Sequence, residues 1–221
     1  MNKKLLIAIV VLMLSVLACS TITISPNTVT GSGNVISETR NVSGFDSVTL
    51  EGSGDVTVSF GSSESVVVKA DDNIAPLIET TVQNGTLVIG TKNNTNITTR
   101  NGIHVTVTAK SLKGISLKGS GDIKVTNLTG SNVTVELPGS GNITVTGTAD
   151  SVNISLAGSG NVYCDGLQAR SATITLNGSG NITAYASENL EATLRGSGTI
   201  HYSGNPSQVN KSVTGSGTIT P

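Results

Sequence analysis

The triplet Gly-Ser-Gly occurs eight times in 221 residues, beginning at Gly31, Gly52, Gly119, Gly139, Gly158, Gly178, Gly196 and Gly215. The last six copies follow one another at intervals of 20, 19, 20, 18 and 19 residues. A near-constant period of this length is the signature of stacked repeats, so it limits the choice of fold before any other feature is considered.

Aligning the six C-terminal copies on their first glycine exposes apolar columns. Two positions before it stand Leu117, Leu137, Leu156, Leu176, Leu194 and Val213. Four positions after it stand Ile123, Ile143, Val162, Ile182, Ile200 and Ile219. Six positions after it stand Val125, Val145, Cys164, Ala184, Tyr202 and Pro221, and Ile115, Val135, Ile154, Ile174 and Ala192 continue the alternation upstream. Period-2 alternation on both sides of a fixed bend predicts strand, bend, strand in every repeat.

A repeat of this size cannot bury its own apolar side, whereas stacked repeats can. With neighbouring strands about 4.8 Å apart, six rungs predict a stack roughly 25–30 Å tall. The expected fold is all-β: a single-stack parallel β-helix, or solenoid, with rungs of about 20 residues. The triplet forms its stacked corner, where glycine supplies either an unusual φ or room for close backbone approach. The next position, Asp122, Asn142, Asn161, Asn181, Thr199 and Thr218, stacks as well. Such side chains can hydrogen-bond into a ladder, although satisfying corner amides is their more ordinary role.

The half from about 41 to 112 is less regular. Val48, Leu50, Val56, Val58 and Phe60 fit one rung, and Val66 and Val68 begin another strand. Residues 71–83, with Ile74, Leu77 and Ile78 around Pro76, have room for a short helix. Leu87 to Ile89 and Ile103 to Ala109 read as strands, and polar Thr91 to Gly102 as an exposed loop. Wider, irregular rungs continuous with the regular stack are expected here.

The N-terminus reads as an export signal. Lys3 and Lys4 precede an apolar run from Leu5 through Leu17, too short to span a bilayer as a helix. Val16-Leu17-Ala18-Cys19 resembles the lipobox of bacterial lipoproteins, which implies lipidation of Cys19 and cleavage before it. The expected organisation is a signal peptide over 1–18, lipidated Cys19 with a polar tether over 19–40, and a β-helix domain over 41–221 whose regular rungs begin near 112. Cys19 belongs to the anchor and Cys164 to a core column, so a disulfide between them is not expected. Ser20, with no Asp after the cysteine, suits the outer membrane of a two-membrane bacterium. In a one-membrane host the anchor holds the outer face of the plasma membrane.

Composition narrows the partners. Without Lys3 and Lys4 the chain has 11 basic and 14 acidic residues, a net −3. No basic stripe answers a phosphate backbone, and aromatics, at 2%, cannot supply base stacking. Nucleic acid is therefore not an expected partner.

Several ordered blocks carry a family resemblance. Arg40-Asn-Val-Ser-Gly-Phe45-Asp-Ser-Val48, Gly-Ser-Gly-Asp55-Val-Thr-Val58, Thr86-Leu-Val-Ile-Gly90, Val105-Thr-Val-Thr108 and Leu112-Lys-Gly-Ile-Ser-Leu-Lys-Gly-Ser-Gly-Asp122 resemble the bacterial auto-transporter adhesin, head GIN domain family over about 40–221. The resemblance implies an envelope β-helix, often exported or lipid-anchored, with no catalytic residues to carry over.

The residues themselves assemble no reactive site. Many β-helix proteins act on polysaccharides, which demands clustered carboxylates. Asp55 and Asp122 share a column position, but Asn142, Asn161, Asn181 and Thr199 occupy it elsewhere. Asp71-Asp72 reads as a helix start or a solvated turn. Asp150, Asp165, Glu136, Glu188 and Glu191 are scattered, and His104 and His201 read as surface strand residues. The triplet followed by Asp or Asn resembles a calcium repeat only faintly, since the period is wrong. Cys164 reads as a small buried hydrophobe.

No catalytic, cofactor or metal residue is expected, and Cys19 is the one modification site. The expected function is a lipid-anchored binding or structural module of the cell envelope, an adhesin for a protein or matrix ligand. A self-assembling scaffold and a polysaccharide-active enzyme are the other readings. Lys211 in an apolar column and Pro221 oppose end-to-end stacking, which favours a monomer.

Overall fold

The computed structural model describes residues 27–92 and 95–221. The signal segment and Cys19 lie outside the described residues, as does the tether up to Pro26.

The regular half stacks as the columns require. Strand β10 (Gly114–Leu117) leads through a triplet into β11 (Asp122–Leu137), and the next triplets lead into β12 (Asn142–Leu156) and β13 (Asn161–Cys164). Then come β14 (Leu167–Leu176), β15 (Asn181–Tyr185), β16 (Asn189–Leu194), β17 (Thr199–Ser203), β18 (Gln208–Val213) and β19 (Thr218–Thr220). Every pairing among them is parallel, and the register joins column to column. Leu137 lies beside Leu156, Leu156 beside Leu176, and Leu176 beside Leu194. The second face aligns Ile123, Ile143, Val162, Ile182, Ile200 and Ile219.

Inward residues are fully buried from Leu117 to Ile200, in one continuous apolar core. Sealing each Leu or Ile side chain from water stabilises the fold by about 1.5–3 kcal/mol. Unequal repeat lengths are absorbed away from the triplets. Between Val125 and Leu128 the chain has two residues, where the next coil has only Thr146 between Val145 and Gly147. Asn127 takes up the surplus at a φ of 59°.

The corners explain the glycines. Most triplet glycines here have ordinary backbone angles, so close approach decides. A Cβ on Gly160 would sit 1.7 Å from the Gly141 carbonyl oxygen, and one on Gly180 would sit 1.7 Å from that of Gly160. Each corner lies so tightly on the last that no side chain fits between them. Beside the corners Asn142 and Asn181 satisfy their own backbone N–H groups on the preceding side chain. They also form a ladder: Asn142 donates to Asp122 at 2.9 Å, Asn161 to Asn142 at 2.9 Å and Asn181 to Asn161 at 3.0 Å. Both roles weighed for this column are filled at once.

The N-terminal half is laid down out of order. Its strands are β1 (Asn27–Thr30), β2 (Val35–Arg40), β3 (Ser47–Leu50), β4 (Asp55–Phe60), β5 (Ser65–Asp71), β6 (Ile78–Gln83), β7 (Thr86–Thr91), β8 (Thr95–Thr98) and β9 (His104–Ala109). The β3–β4 coil pairs with β10 and β11 on one side and with β7 and β9 on the other, all in parallel. The coil made later in sequence thus lies beneath the coil made first. Antiparallel β6 covers β7, β5 covers β9, and β2 covers β5. These strands cap the end of the solenoid.

Three expectations change. Part of the 19–40 tether is folded: β1 pairs with β8, and β2 pairs antiparallel with β5, with Ile36 packed against the core. The Thr91–Gly102 loop contains β8, because a parallel partner from the N-terminal segment satisfies its backbone. The short helix over 71–83 is a single 3-10 turn, Ala75–Leu77, with Pro76 inside it.

Candidate functional site

The solenoid breaks its pattern at one corner. After β7 the chain does not make the tight triplet turn. It leaves at Thr91, forms β8 against β1, and returns at Ile103 to begin β9. This excursion stands where the corner beneath Gly52-Ser53-Gly54 would lie. An open cleft of about 770 Å³ results, with Gly52, Ser53, Gly54 and Asp55 on one wall, Thr95–Thr99 and Thr28 on the other, and Thr91, Gly102 and Ile103 at its base.

Two devices hold the excursion in place. The first is Asp71-Asp72-Asn73. Asp71 is buried, 1% exposed, and accepts hydrogen bonds from the Thr99 hydroxyl at 2.6 Å and the Asn101 amide at 2.7 Å. Those two bonds, Thr99 first, hold its carboxyl below the usual carboxylate range. Asp72 accepts from the Ser32 hydroxyl and the Asn34 amide, which depress its own titration. Asn73 accepts from the Ser32 N–H at 2.9 Å and donates to the Thr30 carbonyl at 2.8 Å.

The sequence reading of Asp71-Asp72 as a helix start or solvated turn is therefore corrected. Asp71 is a buried clasp, and its partners come from segments 28 and 30 residues further along the chain. The first Gly-Ser-Gly triplet belongs to this clasp and not to the stack. A Cβ on Gly31 would overlap the Asp71 carboxylate at 1.8 Å, and Gly33 has a φ of 88°.

The second device is a pair on the cleft's rim. His104 Nδ1 lies 3.3 Å from an Asp55 carboxylate oxygen, and its Nε2 lies 3.2 Å from the Asn101 carbonyl. Asp55 and His104 are register neighbours on β4 and β9. Both side chains are about half exposed. His104 is a surface strand residue as expected, but its pairing with Asp55 depends on the out-of-order coil and was not foreseen.

Elsewhere the sequence reading places its residues well. Asp55, Asp122 and Asn142 do share one column. His201 sits exposed on β17, 3.4 Å from the Thr220 hydroxyl. Cys164 is buried, and its thiol is pushed up to about 12 by burial, with the Asp165 charge adding to the shift. Among the described residues no group of three His, Cys, Asp or Glu side chains could hold a metal ion. Among the described residues the lining offers hydroxyls, the Asn96 amide and main-chain groups, with Asp55 as its one charged side chain and no Lys or Arg. That chemistry suits holding a neutral polar ligand.

Residues 44–206 match the family described as "Putative auto-transporter adhesin, head GIN domain". The chain belongs to this family. The family is described as one of adhesins and not as one of enzymes, which suggests a surface or envelope protein. A crystal structure described as a putative adhesin from Bacteroides fragilis is 26% identical to this head GIN domain, with a TM-score of 0.73 over 87% of this chain and 99% of that one. One described as a putative lipid binding protein from Parabacteroides distasonis is also 26% identical, with a TM-score of 0.51 over 88% and 99% of the two chains. No curated protein matches the sequence.

Proposed function

We propose that this head GIN domain is a lipid-anchored, non-catalytic binding module of the bacterial cell envelope that grips a protein or matrix partner. The observation that carries the reading is the cleft itself. It opens at the one corner where the chain departs from its repeat, and a dedicated clasp of Asp71, Asp72 and Asn73 supports it. Binding residues concentrate on irregular segments positioned by a rigid scaffold. The lining also lacks the aromatic rings on which sugars stack, which favours a protein over a glycan.

The anchor supports the same reading from the sequence. Acylation at Cys19 would attach the chain to the membrane through a short polar segment joined to the capped end of the solenoid. Cys19→Ala should abolish incorporation of radioactive fatty acid and release the protein without unfolding it. Labelling retained in that variant would remove the anchor.

Binding is tested with beads carrying the full chain, offered immobilised matrix proteins and, separately, an array of oligosaccharides. Adhesion to protein without polysaccharide turnover is the expected result. Turnover of any polysaccharide would replace this function with an enzymatic one.

One observation favours a second reading, end-to-end assembly into an envelope scaffold. Strand β18 pairs only with β16 among the described residues, and Val209 and Val213 on it are 40% and 48% exposed. Against it, Lys211 occupies the slot beside Ala192 and lies 4.5 Å from the centre of the Tyr202 ring, placing a charge where stacking would bury it. Sedimentation at high concentration decides between a monomer and a polymer.

A further inference from the structure

In the regular coils the corners are joined by a repeated main-chain bond. The triplet serine donates its N–H to the first glycine of the preceding corner: Ser120 to Gly52, Ser140 to Gly119, Ser159 to Gly139, Ser179 to Gly158 and Ser197 to Gly178, at 3.1–3.3 Å. In the last corner Gly217 donates to Gly196 in place of Ser216, at 3.2 Å, and among the described residues Gly52-Ser53-Gly54 makes no such bond to a corner beneath it. Its neighbours are served, since Glu51 donates to Ile89 at 2.8 Å and Asp55 to Ile103 at 2.8 Å. Ser53 has no main-chain acceptor among the described residues, because the coil beneath it has left to form the excursion. The cleft lies where that corner would be.

We propose that the cleft is a vacant corner filled by a main-chain segment of a partner protein, whose carbonyl accepts the Ser53 N–H as a preceding corner would. The inference rests on reading the cleft as the binding site and adds the chemistry of its ligand. Three features select that chemistry. A glycine-walled slot beside a corner admits backbone and small side chains, as the stacked triplets do. The Asp55 carboxylate on the same wall repels an anion, so a neutral carbonyl is preferred to a carboxylate or phosphate. The far wall is an unbroken run, Thr95–Thr99, and a partner segment can lie along its main chain.

The test is fluorescence anisotropy on the full chain in detergent, with a labelled blocked peptide, Leu-Thr-Gly-Ser-Gly-Asn-Ile, as probe. Saturable binding is expected. Asn96→Trp, which places an indole in the cleft from an exposed position, should weaken it at least about tenfold with an unchanged melting temperature. Ser53→Ala keeps the N–H and should stay within about twofold. Replacing the peptide bond after the probe's first glycine by an ester, whose carbonyl is a poorer acceptor, should weaken binding about threefold or more.

Absence of binding, equal binding by Asn96→Trp, indifference to the ester probe, or displacement of the peptide by neutral xylohexaose would each overturn the proposal. So would sedimentation showing that a second copy of the chain fills the cleft. Adhesion of the beads is a separate readout. Beads that adhere equally well with Asn96→Trp leave the adhesin function standing and remove this ligand, whereas a peptide that binds a chain whose beads never adhere does the reverse.

Discussion

The coils from β10 to β19 and the layers from β1 to β9 share a core but are assembled by different rules. In the first region each strand pairs with its equivalent one repeat away, so a sequence neighbour is a spatial neighbour. In the second, β3 pairs with β7 and with β10, partners 39 and 67 residues distant for Ser47. Antiparallel strands cover the end. The regular half is held by many equivalent contacts, repeated from coil to coil. The irregular half uses singular contacts, Asp71 above all, and there the chain opens a site. Regularity supplies rigidity, and its interruption supplies the cleft on which the proposed recognition rests.

The comparison can be broken most severely inside the regular half. Leu156 is fully buried between Leu137 and Leu176. Leu156→Asp should cost about 4 kcal/mol or more, because an unpaired carboxylate is sealed in an apolar column. Ser155→Asp, on the half-exposed outer side, should cost about 0.5 kcal/mol or less. Thermal melts of both variants suffice, and equal melting temperatures would undo the inside–outside assignment.

Next in size is the corner. Gly160→Ala should destabilise by about 3 kcal/mol, since its Cβ would meet the Gly141 carbonyl at 1.7 Å. Gly44, at a φ of 79° in the irregular half, has open space around a Cβ, so Gly44→Ala should cost only about 1 kcal/mol of backbone strain. Urea titrations would show the difference. A larger loss at Gly44 would mean that conformational freedom and not close stacking explains the triplets.

The ladder is a smaller term. Asn161→Ala removes one donor to Asn142 and one acceptor for Asn181, and about 1 kcal/mol should be lost in the same titration. A neutral result would mean that water replaces the ladder without loss.

The smallest signal at neutral pH separates the halves instead of weakening both. Asp71 titrates below the usual carboxylate range in the fold. Its contribution is therefore complete above the ordinary carboxylate range and is lost as pH falls through the depressed folded value. Hydrogen exchange should show acid opening first around 28–34 and 95–103, with the coils from β12 to β17 still protected. Asp71→Asn should flatten that pH dependence. Simultaneous opening of both halves would show that they form one cooperative unit.

Much of the architecture was legible because parallel stacking copies sequence period into space. The Leu and Ile columns, the burial of Cys164, the shared column of Asp55 and Asp122 and the looser N-terminal half all follow from alternation and repeat length. Asn84-Gly85 was a readable sign of the β6–β7 hairpin, both residues having positive φ, at 51° and 77°. The tether was misread because β1 and β2 have polar sequences that become strands only when β8 and β5 offer edges.

What the residues determined alone is the coil: its length, its inner face, its glycine corner and its membership of a stacked all-β fold. Periodicity is a local property, and it needs no knowledge of distant partners. Only the tertiary structure decided the order of the layers, the burial of Asp71 and the pairing of Asp55 with His104. Each depends on which of several β-compatible segments meet, and alternation is the same for all of them. The cleft belongs to that second class. It exists because one coil slipped beneath its predecessor and left a corner unfilled, and no pattern along the chain marks an absence of that kind.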